Sequence, residues 1–323
     1  MKKIVIYTSG GDSPGMNACV RAAVRTAMYH NIEVIGAIRG YEGMINNDFV
    51  ELNSRSVSNI IQRGGTILKT ARSKAFMTPE GRQQAYNNLK KQGVEGMICI
   101  GGNGSFAGAK TFYEEFGIPC IGAPGTIDND LYGTDFTIGF DTAVNTAVEA
   151  IDKIRDTANS HDRIFFIEVM GRHAGYIALA AGIAGGAESI LIPESAEDWH
   201  KMLDLFNGTR KSKKEFSIVV VAEGEEHGGA MQIVERLKEM NPEFEARVTI
   251  LGHLQRGGRP TAYDRVLASR LGSAAVEGLM RGETNKMTGI KNNMIEYVSF
   301  DDAINKTKHL NPDLLRLVDV FNC

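Results

Sequence analysis

Two carboxylates, Asp128 and Asp130, stand just behind the hydroxyl of Thr126 in the stretch Pro124-Gly125-Thr126-Ile127-Asp128-Asn129-Asp130. In an extended segment, side chains two apart share a face, which would align Thr126, Asp128 and Asp130. Such a face sets a proton acceptor beside an oxygen able to bind a cation. Phosphoryl transfer uses both, a base to orient the attacking hydroxyl and a Mg²⁺ partner to neutralise the phosphates. For an isolated D-N-D the plainer account is an Asx-rich turn that caps the next helix. The rest of the chain shifts the weight.

Two further stretches have the composition of an anion cradle. Ser9-Gly10-Gly11-Asp12-Ser13-Pro14-Gly15 follows the apolar run Ile4 to Thr8 and precedes a helix predicted over Met16 to Tyr29. Gly101-Gly102-Asn103-Gly104-Ser105 follows a strand predicted over Val94 to Ile100 and precedes a helix predicted from Phe106 to Phe116. Strand, glycine-rich turn and helix leave backbone N–H groups and the helix dipole facing a phosphate. Neither turn is a G-x-x-x-x-G-K-[ST] loop or a G-x-G-x-x-G fingerprint. Arginine recurs at such turns. Arg72 and Arg172 would sit over a transferring phosphoryl group, and Arg163, Arg247 and Arg256 would hold a second phosphate. Single surface arginines usually make ion pairs worth only ~0–1 kcal/mol, but five near predicted strand ends point to a kinase acting on a phosphorylated small molecule. Arg21 and Arg25, four apart on the first helix, share a basic face.

The elements that must carry these residues alternate. Strands are predicted over Glu33 to Arg39, Ile67 to Thr70, Ile118 to Ala123, Ile164 to Val169, Ser189 to Ile192, Ser217 to Ala222 and Val248 to Leu251. Helices are predicted over Ser56 to Gln62, Pro79 to Gln92, Phe140 to Ala158, Tyr176 to Ala184 and Thr261 to Arg281. With no N-G or D-G hairpin signal, this argues a doubly wound α/β fold with mainly parallel sheets. Strands after Arg163 end in turns much like those before it, which suggests two α/β sandwich domains with a cleft between them. The 323 residues are 43% hydrophobic and 23% charged, enough for one large or two medium domains. A net charge of −3 gives no global reason to expect nucleic acid or a membrane surface. Cys19, Cys99, Cys120 and Cys323 form no C-x-x-C pair and read as buried thiols of a reducing cytoplasm. No apolar run is long enough for a membrane span, no signal peptide is read at the start, and a cytoplasmic protein is expected. His161, His200, His227 and His309 show no metal-ligand spacing.

Five motifs together, SGGDSPGMN (Ser9 to Asn17), GGNGS (Gly101 to Ser105), PGTIDND (Pro124 to Asp130), MGRHAG (Met170 to Gly175) and GHLQRGG (Gly252 to Gly258), resemble those of the bacterial ATP-dependent 6-phosphofructokinases. The resemblance runs from Lys3 to about Asn293. It implies transfer of a phosphoryl group from Mg·ATP to the 1-hydroxyl of fructose 6-phosphate, giving fructose 1,6-bisphosphate and ADP. Asp128 would then be the general base, Thr126 would position the transferring group, Arg172 would stabilise its charge and Asp130 would help hold Mg²⁺. Gly11, Tyr41, Arg72, Ser73, Gly102, Asn103, Gly104, Ser105 and Gly108 would line the nucleotide. Thr126, Ile127, Asp128, Met170, Gly171, Arg172, Glu223, His253 and Arg256 would meet the sugar, with Arg163 and Arg247 reaching it from a neighbouring subunit. The resemblance also implies a homotetramer with an effector site for ADP and phosphoenolpyruvate at Arg21, Arg25, Arg155, Gly186, Glu188, Lys211 and Lys213. The expected division is 1–138 plus 252–305 for a nucleotide domain and 139–251 plus 306–323 for a sugar-phosphate domain.

The chain departs from the family pattern at a few places. Asn103 replaces an Asp tied to the nucleotide's Mg²⁺, keeping one oxygen and losing the charge, so a weakened metal contact is expected. Asn59 replaces an acid of the effector site, and Tyr176 stands where an Asp often follows the MGRxxG run. Gly104 and Gly125 stand where pyrophosphate-using relatives carry Asp and Lys, which favours ATP. The alternatives are a weakly active or non-catalytic effector-binding paralogue, on the strength of Asn103, and a pyrophosphate-dependent enzyme.

Overall fold

The computed structural model describes residues 1–160, 163–195 and 217–321; Lys211 and Lys213, with His161, His200 and Cys323, lie outside the described residues. In chain order the elements are β1 (Lys3–Thr8), α1 (Met16–Tyr29), β2 (Glu33–Ala37), α2 (Tyr41–Asn46), β3 (Phe49–Leu52), α3 (Pro79–Lys91), β4 (Gly96–Gly101), α4 (Asn103–Phe116), β5 (Cys120–Pro124), α5 (Phe140–Asn159), β6 (Ile164–Val169), α6 (Tyr176–Ala184), β7 (Ser189–Leu191), β8 (Ser217–Ala222), α7 (Ala230–Met240), β9 (Ala246–Ile250), α8 (Ala262–Met280), β10 (Lys286–Lys291), β11 (Met294–Ser299), α9 (Phe300–Asn305) and α10 (Pro312–Phe321). Short 3₁₀ turns span Ala75–Met77 and Gly252–Arg256. The chain divides into two compact units, one of 1–127, 131–142 and 256–308, the other of 128–130, 143–255 and 309–323.

The first unit holds a seven-stranded sheet in the order β11-β10-β5-β4-β1-β2-β3. Its inner strands run parallel, and β4 and β5 are buried along their whole length, as expected for strands covered on both faces. Two apolar cores flank it. One packs α1 and α8 against the sheet, around Ile6, Val20, Ile98 and Leu271; the other packs α3 and α4 on the opposite face, around Tyr7, Met97, Phe106 and Phe112. The sheet is mainly parallel, as expected, with antiparallel pairing at its two outer strands. β3 runs antiparallel to β2, and β11 antiparallel to β10. The β10–β11 connection is Asn292-Asn293, with φ of 49° and 63°, a two-residue hairpin loop whose left-handed backbone Asn tolerates better than most residues other than glycine.

Two predicted elements are corrected. Residues 56–62 form turns, not a helix: the Asn53 carboxamide accepts the N–H groups of Arg55 and Ser56, and Asn59 takes a left-handed φ of 53° that no α-helix sustains. Residues 67–70 form no strand. Lys69 has φ 57°, and side chains fix the segment instead of a ladder: Asn17 Oδ1 accepts from Ile67 N at 2.7 Å, and Thr8 Oγ1 donates to Lys69 O at 2.7 Å.

The second unit holds, among its described residues, four parallel strands in the order β7-β8-β6-β9. Its core runs through Phe166, Val219, Val221, Ile233, Leu237 and Phe244, with α7 laying its apolar face on the sheet. Glu168 on β6 caps α7 by accepting Ala230 N at 2.8 Å. Among the described residues no helix is long and apolar enough to cross a membrane.

Candidate active site

In the first unit the glycine-rich turns close β1 and β4, which are neighbours in the sheet, and β5 ends beside β4. The three C-terminal edges interlock: Ser9 N donates to Ile100 O at 3.0 Å and Gly125 N to Gly101 O at 2.9 Å. Parallel strands deliver all three turns to one edge, the edge at which open α/β sheets take ligands. Gly104 is exposed and Gly102 and Asn103 are half-exposed at the start of α4, while Ser105 is buried. A side chain at Gly102 would stand 3.6 Å from Thr126, so the second glycine turn and the threonine are neighbours.

The first turn is pinned by two side chains. Thr70 Oγ1 donates to Gly10 O at 2.7 Å, which sets exposed Arg72 and half-exposed Ser73 two and three residues beyond that anchor. Arg256 Nη1 donates to Asp12 O at 3.0 Å. Its guanidinium crosses so close to Gly11 that a Cβ there would lie 2.5 Å away. Asn17 Nδ2 holds the carbonyls of Arg63 and Gly64. Thr8, Asn17 and Thr70 are not among the candidates the sequence offers. Their signal is weak, three small polar residues beside a glycine turn. Tyr41 is buried, and its hydroxyl donates to Ser105 O; Gly108 passes against its ring.

The organising stretch is not extended. Residues 127 and 128 bend and Asn129 has φ 54°, so the alternation expected to align Thr126, Asp128 and Asp130 does not hold. Thr126 and Asp128 are buried, Asp130 is half-buried, and the Ile127 side chain is fully buried, leaving only its backbone to meet a ligand. Thr137 Oγ1 donates to Thr126 O at 2.6 Å and Ile138 N to Pro124 O at 2.8 Å, fixing the exit of β5. Residues 139–142 are held in turn by Asp264, which accepts Gly139 N at 2.8 Å, Thr142 N at 2.8 Å and Thr142 Oγ1 at 2.5 Å. Asp264 is wholly buried, and burial raises its carboxyl to about 6 despite the three donors.

In the second unit the ends of β6, β8 and β9 gather Met170, Gly171, Arg172, Glu223 and His253. Glu223 Oε1 accepts Arg172 N at 2.8 Å, and the buried Gln255 carboxamide accepts Met170 N at 3.3 Å. Arg172 has φ 59°, an uncommon conformation for a non-glycine residue and one enriched at functional sites. Its side chain, like those of Glu223 and His253, is not buried. Burial, and then the charges of Glu194 and Asp130, push the Tyr176 phenol up, while the Glu194 carboxylate caps α6 through Gly175 N. Arg163 precedes β6 and Arg247 sits opposite Phe165 on β9. Both are exposed at the end of the sheet away from Met170 and Arg172. Of the effector candidates, Arg155 Nη2 donates to the carbonyls of Gly185 and Gly186, and Glu188 Oε2 accepts Ile218 N at 2.7 Å. Arg21 and Arg25 lie one turn apart on α1, Arg25 the more exposed.

Among the described residues no three His, Cys, Asp or Glu side chains gather as a cage.

A phosphofructokinase family profile matches residues 3–279. The chain belongs to the phosphofructokinase family. It is a kinase of that family, similar along its length to bacterial members. The ATP-dependent 6-phosphofructokinase of Cytophaga hutchinsonii is 58% identical over 322 residues, covering 100% of this chain and 98% of that one. The ATP-dependent 6-phosphofructokinase 1 of Thermus thermophilus is 56% identical, covering 99% of both. Among solved structures, phosphofructokinase from Saccharomyces cerevisiae superposes with a TM-score of 0.87 at 35% identity; it covers 100% of this phosphofructokinase, which spans about half of the yeast chain (47%). The pyrophosphate-dependent phosphofructokinase of Marinobacter aquaeolei gives a TM-score of 0.84 at 26% identity, covering 96% of this chain and 86% of that one.

Proposed function

We propose that this phosphofructokinase is an ATP-dependent 6-phosphofructokinase, moving the terminal phosphoryl group of Mg·ATP to the 1-hydroxyl of fructose 6-phosphate. The observation that carries the reading is the joining of two glycine-rich turns and Thr126 at one sheet edge, with exposed Arg72 anchored beside them. Identity of 56–58% to relatives named for ATP supports the choice of donor, as does Gly104, where a side chain would meet only open space; a side chain at Gly125 would instead press on Ile100 and Met16 in the core, so that position says nothing about the donor.

Asp128 serves as the general base. It draws the proton from the sugar 1-hydroxyl as that oxygen attacks, and it needs no unusual pKa if the hydroxyl is held in line. The amides of the Gly102–Ser105 turn and Gly11, with Arg72, Ser73 and Tyr41, hold the nucleotide. Thr126 and Arg172 place and neutralise the transferring group; positioning and fixed charge supply most of the rate in such reactions. Met170, Gly171, Glu223, His253 and Arg256 bind the sugar. Asp130, with the Asn103 amide oxygen as a weaker partner, would hold the Mg²⁺, which when bound neutralises phosphate charge.

The reading extends to a cytoplasmic homotetramer in which Arg163 and Arg247 serve a neighbour's sugar phosphate, and to an effector site for ADP and phosphoenolpyruvate around Arg21, Arg25, Arg155, Gly186 and Glu188, with Lys211 and Lys213. The placement of Arg163 and Arg247 away from Arg172 on the same sheet favours that division of labour. A coupled assay with fructose 6-phosphate tests the core. ATP should support turnover, pyrophosphate should not, and Asp128→Ala should lower kcat by about 10²–10⁴-fold. Turnover with pyrophosphate alone, or an Asp128→Ala variant as active as the parent, refutes it.

A further inference from the structure

Two buried phenols stand behind the second glycine-rich turn, and Tyr7 has no place in the readings above. Tyr7 lies on β1 with 0% of its surface exposed. Its hydroxyl donates to that of Tyr41 at 3.1 Å, and Tyr41 donates to Ser105 O at 2.5 Å. The Tyr41 ring packs against three neighbours. It stacks on Phe76 at 3.9 Å and 20°, leans on Tyr7 at 5.0 Å and 57°, and would lie 3.1 Å from a Cβ at Gly108. The surroundings are apolar apart from the buried Cys99 thiol, a weak partner within reach of both hydroxyls, and a hydroxyl in such a core is costly unless bonded. A phenylalanine would fill the same space without that cost, so the Tyr7 hydroxyl does something a ring alone does not. By occupying the Tyr41 oxygen it commits the Tyr41 proton to Ser105, and bonds in such a chain strengthen one another. Burial raises both phenols well above their usual values, so both remain donors.

Ser105 belongs to the first turn of α4, which opens at Asn103. We propose that Tyr7 is a positioning residue for the phosphoryl donor: through Tyr41 it holds the peptide after Ser105, and with it the Gly102–Ser105 turn, in the shape that receives the nucleotide phosphates. This rests on the reading of that turn as the donor site.

The test compares Tyr7→Phe, Tyr41→Phe and the double variant by steady-state kinetics and by calorimetric titration with ATP. Tyr7→Phe should raise KM and Kd for ATP about fivefold, the factor given by one neutral hydrogen bond of roughly 1 kcal/mol. KM for fructose 6-phosphate should move less than about twofold. In the Tyr41→Phe background the second change should add nothing, since the relay is already cut. An ATP KM within about twofold of the parent overturns the proposal. So does an equal rise in both KM values, or a full fivefold effect in the Tyr41→Phe background. Should Tyr7→Phe fold poorly, amide exchange in Tyr41→Phe decides: exchange across residues 103–108 should quicken relative to α1, and unchanged exchange overturns the relay. A parent enzyme that uses no ATP sinks the donor reading, an outcome distinct from all of these.

Discussion

Replacing Asp264 by Asn sets burial directly against hydrogen bonding. The carboxylate is fully enclosed yet accepts two backbone N–H groups and one hydroxyl. The donors favour the ionised form, whereas burial disfavours it, and burial wins, moving the group from the usual 3.8 to about 6. The folded protein therefore binds this proton more tightly than the unfolded chain. Stability from this group is present in full below about pH 4 and is lost as pH rises through about 6. The full span is roughly 3 kcal/mol, since each tenfold gain in proton affinity is worth about 1.4 kcal/mol. Between about pH 8 and pH 5 the parent should gain roughly 1.4 kcal/mol from it. Asn does not titrate, so the stability difference between parent and Asp264→Asn should grow by that amount on acidification, while every other titrating group cancels. Urea unfolding of both proteins at the two pH values measures it. A difference that is flat with pH refutes the argument. One that grows toward pH 8 would mean that the three donors outweigh burial.

Other outcomes follow from single contacts. Glu223→Ala removes the acceptor that holds Arg172 N in its left-handed conformation; fructose 6-phosphate KM should rise and kcat fall, with ATP KM little changed in steady-state kinetics. Asn103→Asp restores a charge at the start of α4 and should tighten apparent Mg²⁺ affinity by roughly 10-fold, read from a magnesium titration of activity and of nucleotide binding; no gain in either removes the idea of a weakened metal contact. Cys19, Cys99 and Cys120 are buried, and burial lifts the Cys99 thiol to about 12, so none should react with an aromatic disulfide reagent at neutral pH until denaturant is added.

Much of the layout is legible in the sequence because it rests on local signals. α1, β6, α6 and β8 begin and end where apolar periodicity and glycine place them, and the glycine turns sit at strand ends as their composition requires. What escapes is held by long-range side-chain bonds. Residues 67–70 have the composition of a strand but are pegged by Thr8 and Asn17, some fifty to sixty residues earlier in the chain. The bend at 127–129 follows from the left-handed backbone of Asn129, and the β10–β11 hairpin from the same habit in Asn292 and Asn293. The Asp264 clamp carries no motif at all, for its partners lie more than 120 residues away. The family resemblance makes Glu223 a sugar ligand; its contact with Arg172 N becomes visible only once β6 and β8 are side by side.

β10 also sets an order on birth. It zips onto β5 through Lys286 and Ile121, and Thr288 Oγ1 reaches Gly122 O, 166 residues back. A chain leaving the ribosome must therefore make nearly all of the second unit before the first can finish its sheet. Until then β5 offers a bare, apolar edge, the kind of template on which nascent chains stick to one another. Truncation before residue 286 should not release a tidy N-terminal half but a sticky one, and a chaperone that shields strand edges would have its longest task here.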